Sequence, residues 1–179
     1  MNSLITIIVL FLGINSSTQQ SKIEIKTTEI EESKTFEALT IKDELYTLQF
    51  KIEKTKNNKH NLIIDIELHD GSSFISPHER KEFKGKFYMD LGDYDQLNFD
   101  GDIIETPRAN AIFYGSSFKP VIWVKENTTY KQPLNILSDD NFEVFGRVIF
   151  TIEPRCTLEQ ISFAIKYKDG VMTLYSPKC

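Results

Sequence analysis

Cys156 and Cys179 are the residues of this 179-residue chain best suited to chemistry. A thiolate attacks a disulfide, and a neighbouring thiol resolves the mixed disulfide that forms. For that work Cys156 must be accessible and have a lowered pKa, which Arg155 beside it could supply by stabilising the thiolate. Adjacent residues on a strand point to opposite faces, so the sequence alone does not guarantee that help.

Other chemistries find less support. The three histidines, His60, His69 and His78, lack the i, i+2 or i, i+4 spacing that makes two imidazoles converge on a metal. They read as surface residues, and no metal or other cofactor is expected. Asp90, Asp93, Asp95, Asp100 and Asp102 form the densest acidic stretch. With Gly101 as the loop glycine, Gln96 and Pro107 stand where an EF-hand requires carboxylates, so these aspartates read as turn formers. There is no G-x-S-x-G, H-E-x-x-H or P-loop. An enzyme site assembled from distant residues remains a third, unsigned reading.

Composition narrows the class. Apolar residues make up 40% of the chain and charged residues 26%, proportions that allow a packed core and exclude wholesale disorder. The net charge of -5 argues against nucleic acid as a partner, because a phosphate backbone calls for a basic face. Leu4 to Ile14 is an apolar run followed by Asn15, Ser16, Ser17 and Thr18, the pattern of a secretory leader. Residues 1–18 are therefore expected to be a signal peptide, 19–35 a polar lead, and 36–179 one domain. No membrane span is expected after cleavage, since the run falls short of the roughly 20 residues a spanning helix needs. The expected setting is extracytoplasmic, periplasmic or secreted.

Period-two alternation dominates the rest. Tyr46, Leu48, Phe50 and Ile52 alternate with polar neighbours, as do Leu62, Ile64, Ile66 and Leu68, and the two runs read as an antiparallel pair. Similar runs occupy Phe83 to Leu91, Tyr130 to Ile136, Phe142 to Ile152 and Ile161 to Tyr167. Val121 to Val124 is apolar throughout, as in a central strand, with Trp123 as a core anchor. Pro133 points to an edge or a bulge. Ser76-Pro77-His78-Glu79 has the signature of one short helical turn. Eight or nine short strands make an all-β antiparallel sandwich.

An even pair of cysteines in an exported chain suggests one disulfide, Cys156–Cys179, worth about 3 kcal/mol for a loop of this size. Asp169-Gly170 closes a two-residue hairpin that pairs Tyr167 with Met172 and, continued, sets Cys179 opposite Gln160. That leaves the sulfurs' backbones roughly 13 Å apart, beyond the roughly 7 Å a disulfide tolerates. A bridge therefore requires a bend between Pro154 and Gln160.

The stretch from Tyr130 onward resembles the extracytoplasmic N-terminal domain of DsbD-type thiol:disulfide interchange proteins. Gly146-Arg147-Val148-Ile149-Phe150 looks like that family's central strand, Cys156 falls where its second cysteine would lie, and Ile161 to Ile165 looks like the strand that follows. The resemblance implies an immunoglobulin-like sandwich whose partner is another extracytoplasmic protein. It departs from the family at Phe150 and Thr151, where the first cysteine could fall, and no proline follows Cys156. What it implies for function is a non-catalytic binding module or redox relic. The alternative is active thiol-disulfide exchange, with Cys156 as nucleophile and Cys179 as resolver.

Overall fold

The computed structural model describes residues 38–57, 59–80, 83–112 and 120–177. The expected leader (1–18), the whole of the expected lead (19–35), and Cys179 lie outside them. In chain order the strands are β1 (Leu39–Lys42), β2 (Tyr46–Lys54), β3 (His60–Leu68), β4 (Phe74–Ile75), β5 (Tyr88–Asp90), β6 (Leu97–Phe99), β7 (Ile104–Thr106), β8 (Ala111–Ile112), β9 (Val121–Val124), β10 (Thr128–Ile136), β11 (Phe142–Ile152), β12 (Thr157–Lys168) and β13 (Val171–Tyr175). One sheet runs β1-β2-β3-β10-β6, with β7 also on β10; a second runs β13-β12-β11-β5; a small third runs β4-β9-β8. All pairings are antiparallel.

The two larger sheets form a sandwich because alternation gives each one apolar face. Leu48, Phe50, Leu62, Ile64 and Ile66 point inward from the first, and Val144, Val148, Phe150, Phe163 and Ile165 from the second; all are buried. Ring pairs join the layers, Phe50 with Phe163 at 5.5 Å and Tyr46 with Phe150 at 5.2 Å. Gly146 is buried in β11 because the Phe163 ring crosses it; a Cβ there would fall on that ring and 2.9 Å from the Asp90 carbonyl oxygen. Among the described residues Tyr46, Phe50, Phe74, Phe87, Tyr130, Phe150 and Phe163 are the aromatics buried in this core.

Several expectations change. The described residues hold thirteen strands, more than eight or nine, because β4, β6, β7 and β8 have only two or three residues each and show too few alternations to read. Phe83 to Leu91 yields only β5; Gly85, at φ 83°, turns the chain before it. β9 is no doubly covered strand: Val121, Ile122 and Trp123 are half-buried and only Val124 is buried, since β9 belongs to the small sheet. Pro133 lies in an interior strand, beside Asn61 of β3. On its other flank β7 stops at Lys131 and β6 begins at Leu134, so the missing N–H falls in the gap between two short strands.

The short helical turn is also replaced. Glu79 N–H donates to the Ser76 carbonyl at 3.1 Å, and His78 N–H to Ser76 Oγ at 3.1 Å, which makes one capped β-turn. The capping box fails because Ser76 N–H is taken by the Ile122 carbonyl at 2.9 Å, while Glu79 Oε2 accepts Ile122 N–H at 3.0 Å. Strand pairing with β9 outcompetes helix capping.

His60 is a further correction, being buried at 6% exposure with Nδ1 lacking a partner. Burial, with Lys54 nearby, holds its pKa below the ordinary 6.5. The folded chain therefore binds fewer protons than the unfolded chain once pH drops below about 6.5, and stability falls over that interval. Urea midpoints at pH about 7.5 and about 5.5 are expected to drop more for the native protein than for His60→Leu.

Candidate functional site

Cys156 sits in the turn of the longest hairpin. β11 and β12 pair without interruption from Phe142↔Tyr167 to Ile152↔Thr157, leaving Glu153, Pro154, Arg155 and Cys156 to reverse the chain. Cys156 takes a left-handed φ of 55°, which costs a non-glycine residue about 1 kcal/mol. The conformation turns its side chain out of the ladder, and the thiol is exposed and free.

The electrostatics run against activation. Cys156 Sγ donates to Glu153 Oε2 at 2.9 Å. That hydrogen bond, with the carboxylate's charge, pushes the thiol pKa up from its ordinary value, because a nearby anion favours the neutral thiol. Arg155, the expected source of help, is engaged elsewhere. Its guanidinium donates to Glu159 at 2.9 Å, Glu44 at 3.0 Å and Thr157 Oγ1 at 2.8 Å, and pairs with Asp43 at 3.2 Å. Thr157 and Tyr46 donate to the same Glu159 carboxylate, at 2.7 Å and 3.0 Å. Burial works against the Glu159 anion, yet the hydrogen bonds from Thr157, Arg155 and Tyr46 win and hold its pKa down. Arg155 therefore ties the hairpin turn to the β1–β2 connection.

The other sequence candidates disperse. His69 Nε2 is 3.0 Å from Thr47 Oγ1, and His78 is half-buried at the Ser76 turn. Asp90 accepts from Gly92 N–H at 3.0 Å and from Arg147 at 2.8 Å, while Asp100 faces Lys59 at 4.0 Å. Among the described residues no group of three or more His, Cys, Asp or Glu is placed to hold a metal ion. No helix among them is long and apolar enough to cross a membrane.

One polar cluster escaped the sequence. Glu105 of β7, 6% exposed, accepts from Tyr130 Oη at 2.7 Å, from Ser76 Oγ at 2.9 Å and from Ala109 N–H at 3.1 Å. Tyr130 also stacks on Phe87 at 4.1 Å. Burial, then the adjacent carboxylate, pushes the Tyr130 pKa well above its ordinary range, so the phenol stays a donor. Ser76 and Tyr130 are fully buried, which makes the cluster a clamp between β7, β10 and the Ser76 turn. Nothing in the residues around Glu105 separates it from a surface glutamate.

Among the described residues these features define an all-β antiparallel sandwich carrying one exposed, unactivated thiol at a hairpin turn. No protein-family model matches the chain, and no curated protein matches it. Among solved structures it is similar to the N-terminal periplasmic domain of ScsB from Proteus mirabilis, with a TM-score of 0.49 and 12% sequence identity over 73% of this chain and 50% of that one. This chain thus spans half the length of that structure's chain.

Proposed function

We propose that the protein is an exported, non-catalytic β-sandwich module that binds another extracytoplasmic protein, with Cys156 a redox relic. The observation that carries this reading is the thiol of Cys156 donating to Glu153 at 2.9 Å while Arg155 serves other carboxylates. An exchange nucleophile needs the opposite surroundings. Exposure of Cys156 is the one feature that favours active exchange. The leader-like run from Leu4 to Ile14 supports export.

The ladder also speaks against a resolving partner. β13 pairs with β12 only as far as Tyr175↔Ala164, and Thr157 lies seven residues, roughly 23 Å, further along β12. The four residues from Tyr175 to Cys179 span about 14 Å when fully extended. β12 is unbroken from Thr157, so the bend that a bridge requires is confined to the turn before it.

Mass-tag labelling of the mature protein across a glutathione redox series tests the reading. Two thiols that stay tagged throughout are expected. A Cys156–Cys179 pair titrating at an oxidising potential, within the protein-disulfide-isomerase range, would overturn it.

A further inference from the structure

We propose that the outer face of the β13-β12-β11-β5 sheet pairs with the same face of a second copy of this chain, Phe145 of each copy entering a hollow on the other. This goes beyond the binding-module reading and does not depend on it. The two outer faces of the sandwich differ. On the first sheet the outward positions of β2 and β3 include Thr47, Gln49, Lys51, Glu53, Asp65 and Glu67. Its large aliphatic exceptions among the described residues are Ile63 and Ile104, on either side of Lys131. The second sheet instead turns outward Tyr88, Phe145 and Leu158, at 51%, 48% and 53% exposure, with Ile149 half-buried.

Register gathers these side chains. Tyr88↔Ile149 and Thr151↔Leu158 lie toward one end of the face, and Phe145↔Ala164 and Ala164↔Tyr175 toward the other, where Ala164 is fully buried. Large apolar side chains gathered on one face mark an interaction surface, whereas scattered ones do not. Beside Phe145 lies a hollow of about 300 Å³, lined by Gly92, Gly146, Arg147, Ser162 and Pro177. It exists because Gly146 has no side chain and that of Ser162, opposite Arg147 on β12, is short. A protruding ring and a hollow on one patch are what an isologous pair requires, since a two-fold axis brings each ring to the other copy's hollow.

Charge and area select a second copy as the occupant. Arg147 pairs with Asp90 at 2.8 Å, and Glu143 stands opposite Lys166, so the charges around Phe145 are balanced. Such a patch offers no complement to a strongly acidic or basic partner and matches itself. The 11 residues of β11 run about 36 Å, and four strands measure about 19 Å across. They bound a face of up to about 700 Å², close to the roughly 800 Å² per partner of a standard interface.

Sedimentation equilibrium of the full mature protein, from dilute to concentrated solution, is expected to show a reversible monomer–dimer equilibrium. Phe145→Ala is expected to raise the dissociation constant about thirtyfold, as for a central hot spot. Ser162→Trp, which fills the hollow from an exposed position, is expected to abolish the dimer, with circular dichroism confirming that both variants fold. An equimolar mixture of the two variants should recover dimer at concentrations where neither associates alone. One of its two contacts is native, and the other sets the introduced indole against the truncated side chain. Glu67→Ala, on the opposite outer face, should change nothing. Thermal midpoints of Phe145 variants are compared in dilute solution, where the monomer is the species that melts. A protein that stays monomeric at every concentration overturns the proposal and leaves the face to a different protein or to the chain's own remaining residues. Association that Phe145→Ala does not weaken, or a mixture no more dimeric than its components, overturns it too. Thiol labelling of Cys156 is read separately, so failure of the dimer and failure of the binding-module reading are distinguishable.

Discussion

Replacing Glu105 by alanine is expected to destabilise the sandwich by about 4 kcal/mol, because two buried hydroxyls and the half-buried Ala109 N–H lose one shared acceptor. Tyr130 Oη, Ser76 Oγ and Ala109 N–H all converge on that carboxylate, and water cannot replace it where Ser76 and Tyr130 have no exposure. Glu105→Gln is expected to cost about half as much, since its amide keeps one acceptor oxygen but presents N–H groups to donors. Tyr130→Phe alone is expected to cost about 2 kcal/mol. Combined with Glu105→Gln it should fall short of additivity, because the two changes break one network. Urea unfolding followed by circular dichroism reads all four variants. A Glu105→Ala protein within about 0.5 kcal/mol of the native one would show that the cluster does not clamp the fold.

Phe150→Ala is expected to lower stability by about 4 kcal/mol, through a cavity where the two layers meet. Phe150 is fully buried and its ring lies 5.2 Å from Tyr46, 5.3 Å from Phe74 and 6.1 Å from Phe87. These neighbours come from β2, β4 and the segment before β5, so no single side chain can collapse into the space. Phe150→Leu, which keeps most of the volume, is expected to cost about 1.5 kcal/mol. The corresponding change at exposed Phe145, 48% exposed on β11, should fall within about 0.5 kcal/mol. Thermal midpoints that rank these three variants differently would contradict the assignment of inward and outward faces.

The long strands were legible because their alternation extends over many residues. β2, β3 and β11 appear where the periodicity places them, β12 starts at Thr157, four residues before the run read from Ile161, and β13 with its Tyr167↔Met172 register follows from Asp169-Gly170 alone. The shortest strands were not legible, since β4 and β8 depend on partners distant in sequence; β9 was read in place as Val121–Val124, but its half-buried position in the small sheet was not. The same cause misled the reading of Pro133, whose tolerance comes from a break between β6 and β7, and of Ser76, whose N–H is claimed by β9. At the candidate site Cys156 was legible as a residue type, but its surroundings were not. Arg155 is adjacent in sequence and serves Asp43, Glu44 and Glu159 instead. Glu153, three positions upstream, reaches the thiol because the turn at Pro154 folds it back.

The most direct test of the non-catalytic account is the pH dependence of Cys156 alkylation in Cys179→Ser, which isolates one thiol. The account predicts that the labelling rate climbs only at pH above the ordinary thiol range, because the neutral form is favoured while Glu153 is ionised. Glu153→Gln should move the climb back toward neutral pH. Full thiolate reactivity near pH 7 or below, unchanged by Glu153→Gln, would contradict the account and return Cys156 to the role of an exchange nucleophile.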